Sequence, residues 1–171
     1  MMLFLLYNIV GDIMFRKMRR FKQQLSNDDC IELLKKEKRA VLSVISDNGY
    51  PYGIPINFYY DEIENSIYFH SAKEGEKIDS IKSNPNVCIT LYSNSHQKEG
   101  DWAYYVKSVI AFGKASFLTD LNEAYKKAKL FGLKYYPNEH DVDIELEKDF
   151  SRVLIVKIEI MHITGKLVHE K

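Results

Sequence analysis

Apolar and polar residues alternate along several stretches of the chain with the two-residue period of a β-strand. This alternation predicts six strands, at residues 40–46, 52–60, 66–70, 87–92, 104–117 and 152–164. Asp47-Asn48-Gly49 favours a left-handed hairpin turn and residues 61–65 form the next turn, so the first three strands are expected to form an antiparallel meander. Gly113 interrupts the fifth strand and predicts a bulge or a bend.

Three other stretches carry apolar residues at helical spacing. The predicted helices run from the N-cap Ser26 to about Arg39, from Gly75 to Asn84 before Pro85, and from Thr119 or Asp120 to before Pro137. The acidic segment 139–149 lacks the glycine and closing glutamate of a calcium loop. It is expected to be a solvated loop or a short helix, and we assign no metal.

The strands and helices do not alternate as βαβ units, which excludes a doubly wound sheet. The pattern favours a mainly β fold with α decoration, in which six antiparallel strands close into a barrel. Pro51 and Pro55 cannot donate to a strand ladder, so the second strand is expected at an edge or at a bulge. The Asn57 side chain and nearby carbonyls would then be available to a planar polar ligand.

The junction between the third strand and the second helix, at residues 67–82, has the layout of an anion site. A helix N-terminus presents unpaired N–H groups and the positive end of its dipole. Here the helix opens on Gly75 and Glu76, with Lys77 in its first turn and His70 and Ser71 at the end of the strand. A phosphate placed there would meet a cation, a hydroxyl and free backbone donors. The alternative is an ordinary strand-to-helix corner with a solvated lysine.

Composition excludes several partners. The 171 residues include 24 Lys+Arg and 24 Asp+Glu, so no net charge attracts nucleic acid or an anionic membrane. The short basic run of residues 16–22 is interpreted as a solvated arm. Cys30 and Cys88 have no partner at metal or disulfide spacing and are expected to be buried free thiols of a cytoplasmic protein.

Residues 1–17 begin apolar and end basic, which is the reverse of a secretory signal, and Gly11 and Asp12 interrupt the run before it could span a membrane. We therefore expect residues 1–17 to be an upstream extension or a packing arm. Residues 18–171 would form one domain, and Met18 would be the natural start.

Two motifs resemble one protein family. The first is Gly49-Tyr50-Pro51-Tyr52-Gly53-Ile54-Pro55-Ile56-Asn57, and the second is Ile67-Tyr68-Phe69-His70-Ser71-Ala72 followed by Gly75-x-Lys77-Ile78-Asp79. Together, in this order and spacing, they resemble the pyridoxamine 5'-phosphate oxidase-like FMN-binding split barrels, and among these the nitroimidazole-resistance (Nim) type. The resemblance runs from about Met18 to Thr164-Gly165-Lys166.

This resemblance implies a homodimer with FMN at the subunit interface. Pro55, Ile56 and Asn57 would line the edge of the isoalloxazine ring, while His70, Ser71, Ala72 and Lys77 would hold the ribityl phosphate and adjacent ring. Ser108 and Val109 would reach the flavin, from the partner subunit in one arrangement, and Trp102 would lie at the rim. The chain lacks the arginine and lysine pattern with which pyridoxamine phosphate oxidases hold their substrate.

The expected function is that of an FMN-dependent oxidoreductase of the nitroimidazole-resistance type, passing electrons from NAD(P)H to a small aromatic or nitroaromatic acceptor. The alternative is a non-catalytic protein of the same fold that stores or senses flavin, deazaflavin or haem, in which His70 could be an axial ligand. An interaction barrel with an empty cleft is a third alternative. His70 is either a catalytic proton donor facing the substrate or a histidine at the barrel edge without a catalytic role.

Overall fold

The computed structural model describes residues 15–136 and 138–169. Its strands are β1 Arg39–Ile45, β2 Pro51–Asn57, β3 Tyr59–Asp61, β4 Ser66–Ala72, β5 Asn86–Tyr92, β6 His96–Gln97, β7 Tyr104–Phe117 and β8 Val153–His169. Its α-helices are α1 Asn27–Lys36, α2 Glu76–Ser83, α3 Leu121–Tyr135 and α4 Glu139–Asp149. Short 3₁₀ turns occupy Phe21–Gln23 and Phe150–Arg152. The predicted extension falls largely on residues outside the described ranges.

The strands form one antiparallel sheet in the order β2-β1-β5-β7-β8-β4-β3, with β6 added beside β7. β2 and β3 are at opposite ends of this order, yet Phe58 alone separates them in the chain. The sheet must therefore curl until its two ends meet. This arrangement confirms the predicted mainly β fold and split barrel.

The single strand predicted at residues 52–60 is wrong at Phe58. Residues before it pair with β1 and residues after it pair with β4, so the chain changes neighbours at this position. β2 and β4 consequently do not pair as a meander requires. This break and the short strand β6, in a region predicted as loop, raise the number of strands from six to eight.

The predicted bulge at Gly113 is confirmed. The register of the β7–β8 ladder shifts between Phe112, which pairs with His162, and Gly113, which pairs with Ile160. A Cβ at Gly113 would approach the carbonyl oxygen of Glu159 to 2.4 Å. Only glycine allows the two strands to come this close, and the extra residue on β8 bends the long ladder around the barrel.

Helices cover the barrel on two sides. α1 begins at the predicted N-cap, where the Ser26 hydroxyl accepts a hydrogen bond from the Asp29 N–H, and it buries Cys30 and Leu34 in the main core. On the outer face of β4 and β8, a second apolar cluster packs Ala124 and Ala128 of α3 against the sheet. The alternation of β4 explains both clusters, since successive residues point to opposite faces. α3 therefore lies beside the end of β4 that carries the predicted site.

Candidate functional site

A groove lies between β2 and β4, where the barrel is split. It consists of two adjoining hollows of about 380 and 320 Å³, and both are lined by His70 and Lys77. We call this groove the cleft. Seven of the residues expected at the flavin line it, namely Pro55, Ile56, Asn57, His70, Ser71, Ala72 and Lys77. Segments of the two motifs, which are separate in the sequence, thus meet in one groove.

The cleft exists because no ladder joins its two walls. Within the described strands, β2 pairs with β1, whereas β4 pairs with β3 and β8. β2 and β4 therefore separate near Phe58, where the chain passes from the β1–β2 ladder to the β3–β4 ladder. The N-terminus of α2 enters the space between them.

The first turn of α2 is open toward the cleft. Its N-cap is Gly75, which has a φ of 118° and no side chain to cap the helix. By contrast, side chains cap the other three described α-helices, through Ser26, Asp120 and Asn138. The backbone donors of the first turn thus face a hollow that Ser71, Gly75 and Lys77 also line.

Lys77 is the cation at this end of the cleft. Burial lowers the pKa of its ammonium group from the ordinary value, and its Nζ lies 5.4 Å from the centroid of the Phe69 ring. Glu76 lines the same hollow, and one of its carboxylate oxygens accepts a 2.6 Å hydrogen bond from the Ser46 hydroxyl. Glu74 also lines this hollow, so an anion bound there would meet a mixed field.

His70 lies on the outer face of β4, opposite the core residue Phe69. Its ring meets Phe131 of α3 edge to face, with centroids 4.9 Å apart and an interplanar angle of 84°. Burial by the cleft walls, and secondarily the nearby Lys77 charge, lower the pKa of His70. The imidazole is therefore mainly neutral at pH 7, so it can both donate and accept a hydrogen bond.

The polar side chains of the cleft are uncommitted. Among the described residues, none makes a side-chain hydrogen bond or an ion pair with Arg39, Asn57, His70, Ser71 or Lys77. Polar groups that converge in a groove without protein partners are available to a ligand. The donor set, two cations with a hydroxyl, an amide and an imidazole, suits a planar ligand that carries a phosphate.

Arg39 is the cleft residue that the sequence interpretation missed. It was placed at the end of the first helix, but it begins β1 and pairs with Asn57 of β2. The signal was present in the hairpin turn at residues 47–49, because counting the register back from that turn places Arg39 opposite Asn57. Tyr52 and Ile54 also line the cleft through their positions on β2.

The remaining predicted site residues lie elsewhere in the described part of this chain. Trp102 is 87% exposed in the loop before β7. On β7, Val109 is fully buried in the core, and the Ser108 hydroxyl donates to the Lys166 carbonyl oxygen at 3.4 Å. None of the three lines the cleft of its own chain. Their roles at a flavin stay predictions that depend on a partner subunit.

Two other features bear on the class of protein. Within residues 15–136 and 138–169, no group of three or more His, Cys, Asp and Glu side chains could hold a metal ion. The helices of the same ranges are all too short or too polar to cross a membrane. Cys30 and Cys88 are both free thiols, but only Cys30 is buried, whereas both were expected to be buried.

Comparisons with known proteins agree with this architecture. The family model described as pyridoxamine 5'-phosphate oxidase matches residues 26–167. No curated protein matches the sequence. A solved structure described as a candidate 5-nitroimidazole antibiotic resistance protein from Bacteroides thetaiotaomicron is similar, with 22% identity, a TM-score of 0.73, and coverage of 85% of this chain and 87% of that chain.

Two further solved structures share the fold. An FAD-binding protein from Mesorhizobium loti has 20% identity and a TM-score of 0.61, covering 85% of this chain and 97% of that chain. A flavocytochrome from Azotobacter vinelandii has 15% identity and a TM-score of 0.73, covering 90% of this chain and 72% of that chain. At these identities the likeness shows the common fold.

Proposed function

The chain belongs to the pyridoxamine 5'-phosphate oxidase family, and on that premise we propose that its cleft binds FMN. The protein is then an oxidoreductase that passes electrons from NADH or NADPH to a small aromatic or nitroaromatic acceptor. The observation that carries the proposal is the meeting of Pro55–Asn57 with His70–Ala72 and Lys77 in one groove, where their polar side chains have no hydrogen-bond or ion-pair partner among the described residues.

The phosphate is assigned to the N-terminus of α2. The uncapped first turn offers backbone N–H groups, Ser71 offers a hydroxyl, and Lys77 offers a positive charge. Because burial already lowers the pKa of Lys77, an anion beside it would raise that pKa again. Phosphate binding and protonation of Lys77 should therefore reinforce each other.

The ring is assigned to the second hollow, between Asn57 and His70. When bound, flavin supplies the electron chemistry, and the protein supplies orientation, hydrogen bonds and exclusion of water. The amide of Asn57 can donate and accept at the ring edge, and Pro55 and Ile56 provide an apolar border. His70 is placed to hold or release a proton at the same hollow, and its lowered pKa makes it a neutral donor near pH 7.

The same proposal includes a cytoplasmic homodimer. Tyr92, Ile110 and Phe112 are respectively 66%, 38% and 37% exposed on the outer faces of β5 and β7. Large apolar side chains grouped on one sheet face suit a partner surface. Ser108 lies on this face between Tyr92 and Lys166 in the ladders, so a partner's flavin could contact it. Light scattering should then give twice the 20.0 kDa chain mass.

The decisive experiment begins with the absorption spectrum of purified protein. We expect a yellow protein, or a colourless one that takes up FMN, and release of FMN rather than FAD on denaturation. The loaded protein should oxidise NADH or NADPH when a nitroimidazole is added. Failure to take up any flavin would overturn the proposal.

Haem binding is the second candidate. The imidazole of His70, which lines both hollows of the cleft, favours it, and similar folds include a flavocytochrome and a protein from Mycobacterium smegmatis described as binding FAD and haem. Reconstitution with haem would then give a Soret band that is lost in His70→Ala. Flavin uptake without NAD(P)H oxidation would instead indicate a storage or sensing protein.

A further inference from the structure

The separation of the cleft walls needs a support other than the sheet. Within the described strands, no ladder connects β2 directly to β4. Along the chain, β2 leads to β4 through Phe58, β3 and the turn at residues 62–65. A ligand that touches both Asn57 and His70 requires a fixed distance between the walls. One element, the last turns of α3, contacts both walls.

Tyr135, in the last turn of α3, holds the wall formed by β2. Its hydroxyl accepts a hydrogen bond from the Phe58 N–H at 2.8 Å and can donate to the Phe58 carbonyl at 2.9 Å or to the Lys38 carbonyl. Phe58 is fully buried at the break between two strands, where the regular ladder stops. The hydroxyl thus replaces the missing ladder bonds at the residue that directly follows Asn57.

Phe131, one turn earlier on α3, holds the other wall. Its ring meets the His70 imidazole at 4.9 Å and packs against Tyr135, also at 4.9 Å. Residues four apart on a helix lie on the same face, so one rigid turn presents both rings. Lys134 anchors this turn, because its ammonium donates to the Glu37 carbonyl at 2.6 Å and to the Leu34 carbonyl at 3.3 Å.

We propose that Phe131 and Tyr135 are positioning residues of the cleft, which together set the distance and orientation between His70 and Asn57. This proposal rests on the proposed function for its role in flavin binding. Neither side chain lines the cleft, so each acts through the wall that it holds. The last turn of α3 is therefore a brace across the split of the barrel.

The test on flavin binding uses Tyr135→Phe, with Tyr125→Phe as the matched control on the same helix. Tyr125 packs against Phe150, and neither residue lines the cleft. Tyr135→Phe removes the partner of the buried Phe58 amide, and we expect FMN to bind about tenfold more weakly. We expect Tyr125→Phe to change FMN binding less than twofold, within the scatter of surface substitutions. Equal FMN affinities for the two folded variants would overturn the assignment of Tyr135.

The test on His70 does not need flavin. Titration of the His70 ring by NMR in the apoprotein should show a higher pKa in Phe131→Ala, because the ring would gain solvent, and a pKa close to that of the wild type in Phe131→Leu. Titration of His70 that is unchanged in Phe131→Ala would overturn the assignment of Phe131. If the wild type bound no FMN, the proposed function would fail, whereas this measurement would still decide whether the brace exists.

Discussion

Lys127 on α3 is buried and Lys77 in the cleft is partly buried, and the two lysines differ in their partners. Lys127 lies between two carboxylates, with its ammonium 2.9 Å from Asp61 Oδ2 and in contact with Glu64. Burial lowers the pKa of Lys127, but the hydrogen bonds to Glu64 and Asp61 outweigh this and raise it. Lys77 has no carboxylate partner among the described residues, and burial alone lowers its pKa.

The difference in partners separates a lysine that stabilises the fold, Lys127, from a lysine that is available to a ligand, Lys77. Around Glu64, hydrogen bonds from Lys127, Lys157 and Tyr68 hold the pKa of the carboxyl at about 2. This network connects α3 to β4 and β8, and its charged groups are paired with one another. The cleft contains a partly buried cation, a histidine and an uncapped helix end, and neither side chain has a hydrogen-bond or ion-pair partner among the described residues. A partly buried lysine that has neither a carboxylate nor a carbonyl partner is therefore the more informative sign of a site.

The largest effect is expected from breaking the structural network. Lys127→Met should leave Asp61 and Glu64 without their shared cation. The free energy of unfolding should fall by about 3 kcal/mol, because removing one partner of a buried ion pair leaves the other charge unpaired. Urea unfolding followed by circular dichroism would measure it. The neighbouring exposed residue gives the control, Lys126→Met, which should change stability by less than about 0.5 kcal/mol. Equal effects of the two substitutions would show that the network does not stabilise the fold.

The same type of change in the cleft should affect binding rather than folding. Lys77→Ala should weaken FMN binding by about 1.5–3 kcal/mol, through the loss of a charged contact to phosphate. Its stability should equal or exceed that of the wild type. Lys82→Ala, on the exposed side of the same helix, is the control. Unaltered FMN affinity in a fluorescence titration of Lys77→Ala would refute the phosphate assignment.

Asn57→Ala should have a smaller effect on the ring end of the cleft. Loss of one neutral hydrogen bond predicts about 0.5–1.5 kcal/mol in FMN affinity or an equivalent change in the reduction potential of the bound flavin. Spectroelectrochemistry and titration would measure the two quantities. If both remained at wild-type values, Asn57 would not contact the ring.

A further effect is expected in the acid dependence of the network. Because the pKa of Glu64 is lowered from 4.5 to about 2 in the folded protein, its contribution to stability is complete above pH 4.5 and is lost as the pH falls through about 2. Glu64→Gln should therefore flatten the pH dependence of unfolding in this window. Glu62→Gln, which removes a carboxylate from an exposed pair with Lys35, is the matched control. A wild-type slope in Glu64→Gln would contradict the lowered pKa.

Local patterns were sufficient to predict much of this molecule. The bulge at Gly113, the cap at Ser26 and the bounds of β7 follow from neighbouring residues, and the structure has all three. The two motifs also identified seven of the cleft residues, because each motif spans the end of one strand. Arg39 could have been added by counting the hairpin register.

Long-range partners explain what the sequence did not reveal. Alternation continues through Phe58, and the hydroxyl that stabilises the break belongs to Tyr135, 77 residues later. The buried carboxylate partner of Lys127 is Asp61, which lies 66 residues earlier in the chain. Neither contact has a local sequence signal, so both depend on how α3 packs against the closed sheet.

The central claim is that the open end of α2 holds the phosphate of a flavin in the cleft. Parallel titration of the apoprotein with FMN and with riboflavin, which lacks the phosphate, tests this claim most directly. FMN should bind at least tenfold more tightly than riboflavin, on the order of one charged hydrogen bond, and Lys77→Ala should remove most of this difference in affinity. Equal affinity for the two flavins, or no binding of either, would contradict it.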